Sequence, residues 1–181
     1  MKKIFLCLAL VTYSITGFSQ DADAEASSGN YNEIKLNGLY LVIGAFDITY
    51  ERTLSEESAL GVSVFLPFDE DIRDDLKYYV SPYYRLYFGK NYAAGFFIEG
   101  FGMLNSYNEY YVDYNESLDI YTEGDDFKTD FALGIGLGGK WVTDSGFVGE
   151  LNLGIGRNLF NNDSDGDEIV GKVGITLGYR F

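Results

Sequence analysis

Seven charged residues, Lys35, Glu51, Arg85, Glu99, Lys140, Glu150 and Arg180, share one parity on predicted β-strands. Successive strand side chains point to opposite faces, so all seven fall on the face that also carries the glycines and small polar residues. The connections place all seven near the same end of their strands. Four cations and three carboxylates in one layer admit two kinds of chemistry. They can neutralise one another as a structural plug, or they can pass protons or ions. The plug is the reading taken here, because charges withdrawn from water need partners and breaking one pair strands the other charge at several kcal/mol. Strand neighbours suggest Arg85 or Lys140 with Glu99, and Glu150 with Lys140 or Arg180.

Catalysis has few carriers. The chain contains no histidine, so Glu or Lys would have to act as a base. Cys7 is the only cysteine. Beyond it there is no thiol nucleophile, no His/Cys metal site and no disulfide framework. The paired acids Asp125-Asp126 and Asp69 with Asp71 lie on predicted loops. The expectation is a protein that is not an enzyme and has no cofactor and no dedicated metal centre.

More than half of the 28 acids sit in three predicted loops, 69–77, 108–130 and 161–168. Asn161-x-Asp163-x-Asp165-Gly166 echoes the start of a calcium loop, with ligands at alternating positions and glycine sixth. Its twelfth position is Lys172 rather than a bidentate Glu, so a solvated turn is the primary reading, with weak divalent-cation binding at the acidic loops as a further expectation. Tyr107, Tyr110, Tyr111, Tyr114 and Tyr121 decorate the longest of these loops. They read as an interfacial belt on an extended hairpin, with a contact surface as the alternative.

The elements that must position these residues begin with a secretory signal. Lys2 and Lys3 precede an apolar run from Ile4 to Ile15, and Gly17 and Ser19 supply small residues for cleavage after Ser19. The run is too short to span a bilayer as a helix. Residues 1–19 are thus a predicted signal peptide, 20–32 a flexible segment, and 33–181 the folded unit. The net charge of −15 argues against binding nucleic acid through phosphate neutralisation.

Period-2 alternation predicts eight strands, about 33–43, 46–54, 59–68, 78–89, 95–107, 131–142, 147–160 and 169–181. Short connections (55–58, 90–94, 143–146) alternate with long acidic ones, the pattern of an outer-membrane barrel with short periplasmic turns. The connection near Gly44-Ala45 is too short for an outer loop and is the weakest joint. Each strand has one greasy face, such as Phe131, Leu133, Ile135, Leu137 and Trp141, and one small polar face, such as Ala132, Gly134, Gly136, Gly138 and Lys140. A lipocalin-like soluble barrel would turn the greasy face inward. Glycines and single charges would line a ligand cavity poorly but would fill a narrow eight-stranded lumen. The fold class expected is all-β: an eight-stranded antiparallel up-and-down transmembrane β-barrel behind a cleaved signal peptide.

The segments Ile48-Thr-Tyr-Glu-Arg52, Ser81-Pro-Tyr-Tyr-Arg85, Phe97-Ile-Glu-Gly100, Gly149-Glu-Leu-Asn-Leu-Gly154 and Gly178-Tyr-Arg-Phe181 occur in order along residues 33–181. In this the chain resembles the small outer-membrane barrels of the OmpA/OmpX type, and more closely a barrel family common in Bacteroidota. The resemblance implies export through the periplasm to the bacterial outer membrane. The partners it implies are outer-membrane lipid, lipopolysaccharide and the barrel assembly machinery, with Tyr179 and Phe181 as the C-terminal assembly signal. It implies no biochemical activity. Two function classes follow: a non-catalytic structural or surface-interaction barrel with a plugged interior, and, as the alternative, a small porin-like ion or solute channel.

Overall fold

Alternation of apolar with small or charged residues is what a closed two-faced sheet requires, and the chain forms one. The computed structural model describes residues 31–89, 91–115, 120–160 and 169–181, with the side chains of 109–115, 120–123 and 125 outside that description. The predicted signal peptide and the Asn161–Gly166 motif lie outside the described residues. The elements are β1 (Asn32–Asn37), α1 (Gly38–Ile43), β2 (Ala45–Ser55), β3 (Ser58–Pro67), α2 (Glu70–Asp75), β4 (Leu76–Phe88), β5 (Gly95–Asn115), β6 (Ile120–Val142), β7 (Phe147–Asn158) and β8 (Ile169–Arg180). Each strand pairs antiparallel with the next, and β1 pairs with β8 to close an eight-stranded barrel. No helix among the described residues is long and apolar enough to cross a membrane.

The polarity is inverted relative to a soluble protein. Along β2, Asp47, Thr49, Glu51 and Thr53 are buried in the lumen, while Phe46, Ile48, Tyr50 and Leu54 are exposed on the outside. The outer wall continues with exposed Leu133, Ile135 and Leu137 on β6, Leu151, Leu153 and Ile155 on β7, and Ile175 and Leu177 on β8. Monomeric soluble proteins rarely expose so many large apolar side chains on one wall.

Glycines let the lumen close around large side chains. A Cβ on Gly61 would lie 2.4 Å from the Tyr83 ring, and on Gly138 2.5 Å from Phe97. On Gly136 it would lie 2.9 Å from Glu99, and on Gly178 2.5 Å from Lys35. Each glycine is the direct register partner of the side chain it accommodates. The glycine run of β6 is therefore a row of sockets for the inward side chains of β5.

Three predicted segments differ from the structure. The predicted loop 69–77 is mostly α2 and the start of β4, with the Asp69 side chain capping the helix by accepting from Asp71 N at 3.0 Å. The first predicted strand reaches Ile43; in the structure it stops at Asn37 and the chain turns into α1. The Asn37 side chain caps the helix by accepting from Leu39 N at 3.2 Å, and Gly44 ends it in the left-handed region at φ 108°. The expected loop 108–130 is largely strand: β5 and β6 stay in register up to Asn115↔Ile120. Because β4 pairs with β5 only as far as Tyr107, and β7 with β6 only from Ala132, the hairpin rises beyond its neighbours as a two-stranded ribbon.

Candidate functional site

Lumen-facing parity and a common height put nine charged side chains in the lower half of the barrel, the end that holds the short turns. All seven predicted residues are there and buried: Lys35, Glu51, Arg85, Glu99, Lys140, Glu150 and Arg180. Two more join them, Glu33 and Lys172. Glu33 has the parity of Lys35 and sits opposite Arg180 in register; that parity was the available signal, obscured by its place at the strand's first turn. Lys172 starts higher on β8, opposite Gly154, and reaches down to Glu99 at 3.0 Å.

Glu51 is the hub. Its Oε2 accepts from Lys35 at 2.8 Å, Tyr83 at 2.7 Å and Arg85 at 3.0 Å, and its Oε1 from Lys140 at 2.7 Å and Tyr87 at 2.8 Å. Glu150 takes Arg85 at 2.7 Å and Lys35 at 2.9 Å. Glu33 takes Arg180 at 2.6 Å and Lys140 at 3.0 Å. The Arg85 guanidinium also binds Glu99 at 2.7 Å and lies between the Tyr83 and Phe97 rings, 4.3 and 4.1 Å from their centroids. Five cations thus meet four carboxylates, with tyrosine hydroxyls and aromatic faces supplying the remaining contacts. Charge-assisted bonds of this length are the strong class.

Neighbour-strand reasoning identified only one of these pairs correctly, Arg85 with Glu99. Lys140 and Glu150 are register partners, yet among the described residues neither salt-bridges the other. Arg180 likewise pairs with Glu33 rather than Glu150. Long side chains in a narrow barrel converge on the axis, where they meet groups from strands that are not adjacent. The layer is sealed from below by the β4–β5 turn. Arg180 donates to Tyr92 O and Ala93 O, both at 3.0 Å, and Ala93 N donates to Glu56 O at 2.7 Å. Ala93 is fully buried as a result.

The upper lumen is built from other residues. Phe65 stacks on Tyr79 at 4.9 Å, and Tyr40 from α1 meets Phe65 edge-on at 5.2 Å. Ala45, Tyr83, Phe101, Met103 and Ala132 complete this cluster. Beside it is a cavity of about 400 Å³. Asp47 is buried at this level, and its Oδ2 accepts from Asn37 at 3.0 Å. Asp47 also faces the Tyr79 hydroxyl, and neither its Oδ1 nor that hydroxyl meets a partner in good hydrogen-bond geometry among the described residues. No group of three or more acids, among the described residues, is arranged to hold a metal ion.

Tyr179 and Phe181 point outward at the lower rim, each half exposed. Phe181 is tied to the first strand by backbone bonds with Asn32 at 2.8 and 3.1 Å.

Comparison with known proteins agrees with this architecture. The family described as "Protein of unknown function (DUF3575)" matches residues 4–168, and the chain belongs to it. The crystal structure of the N-terminal β-barrel domain of Pseudomonas aeruginosa OprF is similar, with a TM-score of 0.50 at 15% identity, covering 84% of this chain and 98% of that one. At that identity the likeness is one of fold. Comparison with curated proteins gives no match.

Proposed function

We propose that this chain is a non-catalytic integral barrel of a bacterial outer membrane, with a structural or surface-interaction role and a lumen closed by its ionic layer. The observation that carries the reading is the inverted polarity: an ionic layer of nine charged side chains buried within, and Leu, Ile, Phe and Tyr exposed around the outside. Lipid is the solvent in which such a surface is stable, and a closed barrel is the only β-structure that satisfies its backbone there. The layer of four carboxylates and five cations supports a plug, because each charged group is already hydrogen-bonded to at least one of opposite sign, leaving a net charge of only +1. Lipopolysaccharide, reached through divalent ions at the acidic upper loops, and the assembly machinery, reading Tyr179 and Phe181, belong to the same proposal.

Membrane fractionation tests the placement. The expected result is a protein extracted from the outer membrane only by detergent, whose unheated form migrates faster on a gel than its boiled form. Recovery in the soluble periplasmic fraction overturns the placement. Replacing Phe181 with Asp should leave chain in the periplasm; an unchanged membrane yield removes it as a signal. The channel reading is separated by planar-bilayer recording, where stepwise conductance would replace the plug.

A further inference from the structure

One stretch of the barrel wall is not made of strand. β1 pairs with β8 from Glu33↔Arg180 only to Asn37↔Thr176, and with β2 from Asn32↔Arg52 only to Leu36↔Ile48. β8 continues upward to Ile169 and β2 to Ala45, so both lack a ladder partner on that side above this level. A membrane strand needs about nine to eleven residues, and β1 has six. The gap is stitched at its base by one side chain. Asn37 Nδ2 donates to Val173 O at 3.0 Å and Oδ1 accepts from Ile175 N at 3.2 Å, continuing the ladder to β8 where the backbone has left it. Above Asn37 the gap is covered by α1, which packs against both β8 and β2.

The helix is two-faced. Leu41, Val42 and Ile43 are exposed on the outside, Val42 at 86%. Tyr40 turns inward onto Phe65. Behind it is the cavity of about 400 Å³, within the size range of small-molecule sites. Its apolar wall includes Tyr40, Met103 and Val170, and its polar wall Asn105, Asn158 and Asp75. The hydroxyl of Tyr79, a side chain 3% exposed on this wall, lies beside Asp47 and Tyr40 but meets neither in good hydrogen-bond geometry. A six-residue helix has little stability of its own, and covering side chains open more readily than a strand ladder.

We propose that the upper lumen is a binding chamber for a single-chain amphiphile with a neutral, hydroxylated head, which enters from the lipid side between β8 and β2 when α1 swings out. The apolar face of α1 is continuous with the outer wall, so the entrance opens onto acyl chains rather than water. The aromatic and Met103 side receives the chain. The Asn105 and Asn158 amides, which already bond one another through Asn105 Nδ2 and Asn158 Oδ1 at 2.9 Å, and the Tyr79 hydroxyl offer the head their remaining polar valences, and the buried Asp47 beside Tyr79, with Asp75 at the mouth, disfavours an anionic one. This inference rests on the membrane placement proposed above.

The test uses the full barrel folded in phosphatidylcholine vesicles, with monoolein brominated across its double bond as the probe. Trp141 is the chain's one tryptophan; Trp141→Phe with Phe65→Trp moves the reporter beside the chamber. The probe should quench this reporter saturably, by at least half, whereas brominated phosphatidylcholine should not. Filling the chamber with Met103→Phe and Val170→Phe should weaken the probe's apparent affinity at least tenfold. Asn37→Ala should speed the onset of quenching several-fold by loosening the seam. Native mass spectrometry of the wild-type barrel should show one retained monoolein, a readout that needs no variant. A barrel that folds but neither quenches saturably nor retains monoolein overturns the chamber. Quenching with an onset rate unchanged by Asn37→Ala overturns the lateral route. Failure of the wild-type chain to fold into vesicles overturns the membrane placement instead.

Discussion

In the lower lumen Glu51 accepts five donors between 2.7 and 3.0 Å, whereas in the upper lumen the similarly enclosed Tyr79 keeps a hydroxyl that lies beside Asp47 and Tyr40 without meeting either in good hydrogen-bond geometry. The same eight strands and the same parity rule build both regions. The lower half is filled by long charged side chains whose heads meet at the axis. The upper half is walled by rings and short amides that leave space between them. The difference shows that a barrel's width does not determine whether it is plugged. Side-chain length does, together with the glycines that let long side chains fit.

The largest effect should come from the hub. Glu51→Leu removes a counter-charge shared by Lys35, Arg85 and Lys140 and should cost about 3–5 kcal/mol, the range for breaking a buried ion pair. Urea unfolding in vesicles, followed by gel mobility, measures it. A loss below about 1 kcal/mol would mean that the layer contributes little to stability and would erase the contrast between the halves.

Next comes the contrast between inside and outside. Leu133→Arg and Ile175→Arg place a charge on the outer wall and should cost about 2–4 kcal/mol if that wall lies near the bilayer midplane. The same unfolding assay in lipid reads it. Unimpaired stability of both variants would place the apolar wall away from hydrocarbon.

The smallest effect separates two kinds of glycine. Gly138→Ala drives a methyl against the Leu151 carbonyl oxygen and the Phe97 ring and should cost about 1–3 kcal/mol as overpacking. Gly100, on the outer wall, has nothing within 4 Å of an added Cβ, so Gly100→Ala should stay within about 0.5 kcal/mol of wild type. Equal costs at the two positions would refute the socket account.

Much of this was legible in the residues. Alternation on β2, β6, β7 and β8 reveals both faces, and parity alone brings Lys35, Glu51, Arg85, Glu99, Lys140, Glu150 and Arg180 into one lumen. The pairing was not legible, because contacts across the axis depend on barrel tilt and side-chain reach rather than on neighbouring register. α1 was hidden by its composition, since Leu39 to Ile43 is an apolar run that suits a buried strand as well as a helix. Its brackets were nevertheless present: Asn37 is a favoured helix N-cap and Gly44 a favoured stop. The ribbon above Tyr107 was missed because its acids and tyrosines lack the apolar face by which the other strands were recognised.

The Glu33–Arg180 contact has a consequence for assembly. Glu33 stands on the first strand and Arg180 on the last, and the β1–β8 ladder that joins them spans only five register pairs. Contacts between chain ends carry the greatest loop-closure cost, so they form late. Until they form, Glu33 lacks Arg180, and Lys35 on β1 lacks Glu150 on β7. The open sheet therefore holds unmatched charges that favour water, and those charges pass into the low-dielectric interior only as the ring closes. Closure and neutralisation become a single kinetic event, giving the half-built sheet an electrostatic reason not to bury its lumen face early.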